Sequence, residues 1–175
     1  MNTVSKMITA CWLIPVLGFS SHYAFADSKG GGTGPGFISA AGIEASLRKS
    51  ERSVEASQSI SRLVLPEVRF EKGSSKLTEI GERQLLELAS AITKLDWKRE
   101  LVLEARTDPS GSVRYNQQLS ERRARASVDF LIKHNVSTKL LCGVGLGKTH
   151  PLFGDKRDRA VFVVFPKGAD VKCLE

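Results

Sequence analysis

The chain has 175 residues, 26% of them charged, and a formal net charge of +7 at pH 7. Its longest apolar run, residues 7–19, is broken by Pro15 and Gly18 and falls short of the roughly 20 residues that a membrane-spanning helix needs. A membrane-anchored chain is therefore not expected, and the positive balance points to an anionic partner.

Residues 1–26 read as a secretory signal peptide. Lys6 supplies the positive region, the apolar run follows, and Ala24-Phe25-Ala26 stands before Asp27 as a small-residue cleavage site. Ile8-Thr9-Ala10-Cys11 has lipobox-like residue types, but the apolar run lies mostly after Cys11, which speaks against lipid attachment there. Cleavage removes one lysine and no acid, so the mature chain keeps a net charge of +6. The expected product is a soluble periplasmic protein with no transmembrane segment, and any outer-membrane association is made through a partner. Its anionic partner is then the cell envelope rather than nucleic acid.

Residues 27–62 are expected as a flexible linker and stalk. The run KGGGTGPG at 29–36 cannot build a core. Residues 37–62 are rich in Ala, Ser and alternating charge, with Ile43, Leu47, Val54 and Ile60 as the few apolar anchors and Glu44 four residues before Arg48. Two readings stand here, a marginal helical stalk and a disordered spacer.

A compact α/β domain follows over residues 63–170, large enough for a core of its own, and residues 171–175 form a tail. Residues 64–70 read as a strand, with Pro66 at an edge or bend. Leu85, Leu88, Ile92 and Leu95 step by three and four, so residues 78–95 form an amphipathic helix. Leu101-Val102-Leu103 is a buried strand that ends at a loop carrying Asp108. On the next helix Tyr115, Leu119, Ala126 and Phe130 form an apolar stripe, opposite Glu121, Arg122, Arg125, Asp129 and Lys133. Residues 161–165 are a last apolar strand, ended by Pro166. Helices crossing between such strands imply two helices on one face of a small mixed sheet.

Arg123 falls among the apolar residues of its helix, and Asn116 lies two turns earlier on nearly the same line. Charged side chains are almost never fully buried unless paired. Arg123 therefore needs a fixed acid or a bound anion, and Asp108 is the candidate neighbour. Two readings stay open: a buried Asp108–Arg123 ion pair that orients the loop, and two groups that hold a ligand.

The run from Thr107 to Ala124, T-D-x-x-G-x4-N-x-x-L-S-x-x-R-A, resembles the signature of the OmpA-like peptidoglycan-binding domain, and weaker similarity extends over about residues 64–166. The resemblance implies a βαβαββ fold and non-catalytic, cofactor-free binding of diaminopimelate in the stem peptide of Gram-negative peptidoglycan. Asp108 and Arg123 fall on the family's principal ligand positions. Thr107, Gly111, Asn116, Arg106 and Arg159 are expected in support. The free end of diaminopimelate is a zwitterion, so an aspartate can hold its ammonium while an arginine fork takes its carboxylate. The chain departs from the pattern at Ala105-Arg106, where the family carries glycine ahead of the Thr-Asp pair. It departs again at Asp158-Arg159-Ala160-Val161, where one of two arginines is missing.

Other motifs carry less. Gly143-Val144-Gly145-Leu146-Gly147-Lys148-Thr149 resembles a phosphate-binding loop, but its first glycine position is Cys142 and Pro151 follows where a helix should start. A turn leading out of a strand is expected instead. Cys142 and Cys173 are the only mature thiols, and in an oxidising compartment they are candidates for a disulfide. The competing zinc site would need His134 and His150, without ligand spacing, and no metal is expected. No catalytic nucleophile or paired acid stands out. Two rivals to a peptidoglycan-binding module are a structural or assembly subunit of an envelope machine that uses the OmpA-like fold mainly as a protein-binding platform, with the arm from Phe37 to Arg62 carrying the contact, and a wall-acting enzyme.

Overall fold

The computed structural model describes residues 36–55, 61–150, 162–168 and 170–174. The expected signal peptide, most of the Gly-rich linker, Ile60, and the connection that holds Arg159 and Ala160 lie outside the described residues. In chain order the elements are α1 (Ala40–Glu55), β1 (Leu63–Val64), α2 (Glu79–Lys94), β2 (Leu101–Arg106), α3 (Val113–Lys133), a short 3-10 turn (Thr138–Leu140), β3 (Leu141–Gly147) and β4 (Phe162–Pro166). After α1 this is the βαβαββ order. The sheet runs β1-β4-β2-β3, with β4 antiparallel to both β1 and β2 and β3 parallel to β2. It is a mixed sheet with helices packed on it.

Helix α2 begins where its sequence says it should. Thr78 caps it, its hydroxyl accepting the Gly81 N–H at 3.3 Å, and Glu79 and Glu82 favour the positive end of the helix dipole. Leu85, Leu88 and Ile92 are buried against Leu101, Leu103, Phe162 and Val164 of the sheet. Strand β1 is two residues long rather than seven, because Pro66 has no N–H to continue the ladder. What remains of the expected strand is one isolated bridge, between Phe70 and Leu77.

The segment expected as a stalk or spacer is helix α1, and it belongs to the core. Ile43 and Leu47 are fully buried in the same cluster as the α2 leucines. The Gln84 amide grips Ile38, donating to its carbonyl at 2.7 Å and accepting from its N–H at 2.9 Å, while the Glu87 carboxylate accepts the Ala40 N–H. Among the described residues the helical layer therefore holds three helices, two from the βαβαββ unit and one ahead of it.

In α3 the inward row is Asn116, Leu119, Ser120, Arg123, Ala124, Ser127 and Leu131, and Tyr115 is 46% exposed. Of the expected stripe, Leu119 is buried and Phe130 packs partly buried against the core, whereas Tyr115 and Ala126 give way to Asn116, Ser120 and Ser127 on the inward side. The cause lies in β3, where the glycine-rich run is itself the strand under α3, not a turn after one. A Cβ on Gly145 would stand 2.4 Å from the Glu121 backbone nitrogen, so the helix comes close over the strand and meets it with the small side chains of Ser120 and Ala124. The other sheet face carries Val102, Cys142, Val163 and Phe165, covered by Val171 and Cys173 of the C-terminal tail. A Cys142–Cys173 disulfide fastens that tail, and the backbone N–H of Leu174 donates to the Gly143 carbonyl on edge strand β3.

Candidate functional site

Strand β2 delivers the chain to a loop between β2 and α3. The Thr107 N–H donates to the Gly147 carbonyl at 3.0 Å and ties the start of this loop to the end of β3. Asp108 then folds back on its own loop, one carboxylate oxygen accepting both the N–H (2.9 Å) and the hydroxyl of Ser110, an Asx turn. Gly111 takes φ +80°, a conformation that favours glycine. Asn116, on the first turn of α3 and buried, donates its amide N–H groups to the carbonyls of Ser110 (2.5 Å) and Ser112 (3.0 Å).

Arg123 lies two turns further along the same row and is 6% exposed. Its Nε–H donates to the Ser74 carbonyl at 2.9 Å, and its guanidinium carbon stands 5.0 Å from the centroid of the Phe70 ring, a cation–π contact. Phe70 and Ser74 belong to the connection between β1 and α2, and Tyr115 reaches the same connection through a 3.4 Å hydrogen bond from its hydroxyl to the Gly73 carbonyl. Three segments thus converge: the β1–α2 connection, the Asp108 loop and the inward face of α3.

Asp108 and Arg123 are neighbours without being an ion pair. The Asp108 carboxylate is engaged by Ser110, and Arg123 is engaged through Nε, while among the described residues its two Nη atoms make no hydrogen bond. The Ser110 hydroxyl holds the Asp108 carboxyl below the usual carboxylate range against the opposing effect of partial burial, and the Ser110 N–H and the Arg123 charge act in the same direction. Burial pushes the Arg123 guanidinium down from its ordinary value, opposed first by the charge of Asp108. An arginine stays protonated at neutral pH all the same. The arrangement is a half-buried anion and a buried cation, each with bonding capacity left over.

Of the residues expected at the site, Thr107, Asp108, Gly111, Asn116 and Arg123 come together. Arg106 does not. Its guanidinium closes on Glu104 at 2.5–2.6 Å, both side chains almost buried, and it neither adds a cation to the pocket nor competes for Asp108. Alternation along β2 explains this, since Arg106 and Glu104 share the parity of Val102, on the face away from the helices. Ala105 points the other way, into the main core. Cys142 and Cys173 also lie on that far face. Ser110, Ser74 and Phe70 contribute to the site without having been expected there. Two of these act through backbone atoms or a ring face, which leave no motif.

A family model described as the OmpA family matches residues 69–161. Outer membrane protein A of Salmonella typhi is 35% identical over 109 residues, which cover 62% of this chain and 30% of that protein. Outer membrane protein A of Atlantibacter hermannii is 32% identical over 109 residues, covering 62% of this chain and 43% of that protein. The chain spans less than half the length of these curated relatives. Among solved structures, the periplasmic domain of Helicobacter pylori MotB superposes with a TM-score of 0.53 at 21% identity, covering 62% of this chain and 75% of that one. The cell wall anchor of the T6SS from Pseudomonas aeruginosa gives 0.51 at 20% identity, covering 70% and 97%. Both share the fold.

Proposed function

The chain belongs to the OmpA family, and from that membership and the pocket geometry we propose that its domain anchors a periplasmic protein to peptidoglycan by binding diaminopimelate without catalysis. In this reading residues 1–26 direct export and are removed, and residues 27–35 tether the folded part. The ligand is the free end of diaminopimelate, with its carboxylate on the Nη atoms of Arg123 and its ammonium on the Asp108 carboxylate.

One observation carries the reading: Arg123 is buried beside Asp108, yet the two are not paired with each other. A buried guanidinium with unspent donors has already lost much of its hydration, so a carboxylate that arrives in the pocket meets a site whose desolvation cost is largely met by folding. A planar fork suits a carboxylate better than a point cation does. The structure of a cell wall anchor with the same fold is in keeping with this role.

In the rival reading the OmpA-like fold serves mainly as a protein-binding platform and the arm over residues 37–62 carries the contact; that arm has fewer apolar groups to offer a partner, because Ile43 and Leu47 are buried in the core.

Sedimentation with purified sacculi tests the proposal. Arg123→Ala is expected to weaken binding by on the order of 2 to 5 kcal/mol, as loss of one member of a buried charge pair does, and Asp108→Asn to remove most of it. Thermal unfolding of the same variants separates binding from folding. Folded variants that sediment like the parent would sink the assignment.

A further inference from the structure

The loop that presents Asp108 has four consecutive backbone carbonyls, and all four are taken. Asn116 holds those of Ser110 and Ser112. The other two, of Pro109 and Gly111, accept from the ammonium of Lys148 at 3.1 Å and 2.6 Å. Along the loop the carbonyls are thus taken in turn by Lys148 and Asn116, so the loop is held both by α3 and by the stretch after β3. Lys148 lies outside the Thr107–Ala124 signature, in the stretch after β3.

The base from which Lys148 reaches is itself fixed. The Gly147 N–H donates to the Ser120 hydroxyl at 2.8 Å, and the Gly147 carbonyl accepts the Thr107 N–H. The end of β3 is thereby pinned both to the inward face of α3 and to the residue before Asp108. A flexible lysine stem anchored at such a point spans the gap to the loop, and its two hydrogen bonds are charge-assisted.

We propose that Lys148 is a positioning residue, whose ammonium holds the Asp108 loop in the conformation that presents the Asp108 carboxylate to the ligand. The inference rests on the diaminopimelate reading for its effect on binding, but not for its effect on the loop. Between its own side chain and the pocket stand Pro109 to Gly111 and the Ser110 groups that orient Asp108, so Lys148 acts through them and need not touch the ligand.

The test compares Lys148→Met, which keeps the stem and removes the donors, with Lys148→Arg, which restores a cation with several donors. Two quantities are read on the mature full-length chain: amide hydrogen exchange at Ser110 without ligand, and the Kd for a muropeptide monomer with free diaminopimelate. Lys148→Met is expected to raise Ser110 exchange and Kd each by about tenfold, the size expected from losing charge-assisted bonds at a half-exposed site. Amides of α2 should keep their parent rates, and Lys148→Arg should recover most of both effects. Parent-like exchange at Ser110 in Lys148→Met overturns the inference, as does faster exchange with an unchanged Kd. A parent protein that binds no muropeptide defeats the diaminopimelate reading instead, and Ser110 exchange then still decides whether Lys148 holds the loop.

Discussion

Asp108 and Arg123 share a pocket without sharing a bond, and their titration behaviour follows from what each does bond to. The Ser110 hydroxyl is the largest influence on Asp108 and lowers its pKa. The folded-state value therefore lies below that of an unfolded aspartate, about 4. What the ionised carboxylate contributes is present above the unfolded value and is lost as pH falls through the folded one. Binding of a cationic group should accordingly hold level from neutral pH to about pH 5 and fall only below about 4. Ser110→Ala removes the principal cause and should move the fall to higher pH, as read by sacculus binding between acid and neutral pH. A Ser110→Ala profile that overlays the parent's would count against the hydroxyl as the controlling group. Arg123 was legible in the sequence because its inward phase on α3 contradicted its charge. Arg106 was misplaced because nearness in sequence to Asp108 outweighed the alternation of β2. Lys148 left no signal, since its partners are backbone carbonyls far away in the chain.

Among the elements, α2 was legible from its leucine spacing, with which the Thr78 cap and the two early glutamates agree. Strand β1 was overdrawn because apolar residues continue past the proline that ends the ladder. Helix α1 was underdrawn for the opposite reason, with few apolar residues, two of which fill a space that only the assembled sheet and α2 create. The glycines of β3 were the least legible, since their role is to let another element come close. That role separates two substitutions. A Cβ on Gly145 would lie 2.4 Å from the Glu121 nitrogen and 2.7 Å from its Cα, both backbone, whereas one on Gly143 would meet the Val128 side chain at 3.4 Å. Gly145→Ala should destabilise by about 1 to 3 kcal/mol, the usual cost of overpacking, and Gly143→Ala by clearly less. Denaturant midpoints at constant m-value check the pair. Equal midpoints for the two variants would mean that α3 is free to move off β3.

Among the described residues the molecule is asymmetric about its sheet: three helices on one face, and on the other a tail held by one disulfide and a few bonds. Asp108 and Lys148 lie in the stretches that follow β2 and β3 and Arg123 on α3, while Cys142 and Cys173 sit with Val102, Val163 and Phe165 on the sheet face away from the helices. The tail begins firmly, with the Lys167 N–H on the Glu100 carbonyl at 2.8 Å and its ammonium on the Glu100 carboxylate at 2.9 Å. Its far end is held by the disulfide and by Leu174, which donates to Gly143 of the edge strand. The bonded cysteines are separated by 31 positions, and closing a loop of that length stabilises by roughly 3 to 4 kcal/mol in the chain-entropy model. A Cys142→Ser, Cys173→Ser double variant should therefore unfold at a markedly lower denaturant concentration, with its tail released and the valine face opened to solvent. It should still bind sacculi with the parent's affinity wherever it is folded, because among the described residues no contact of the pocket passes through the tail. Loss of binding in the folded double variant would show that the two faces of the sheet are coupled. Unchanged stability would mean that Lys167 and Leu174 suffice to hold the tail.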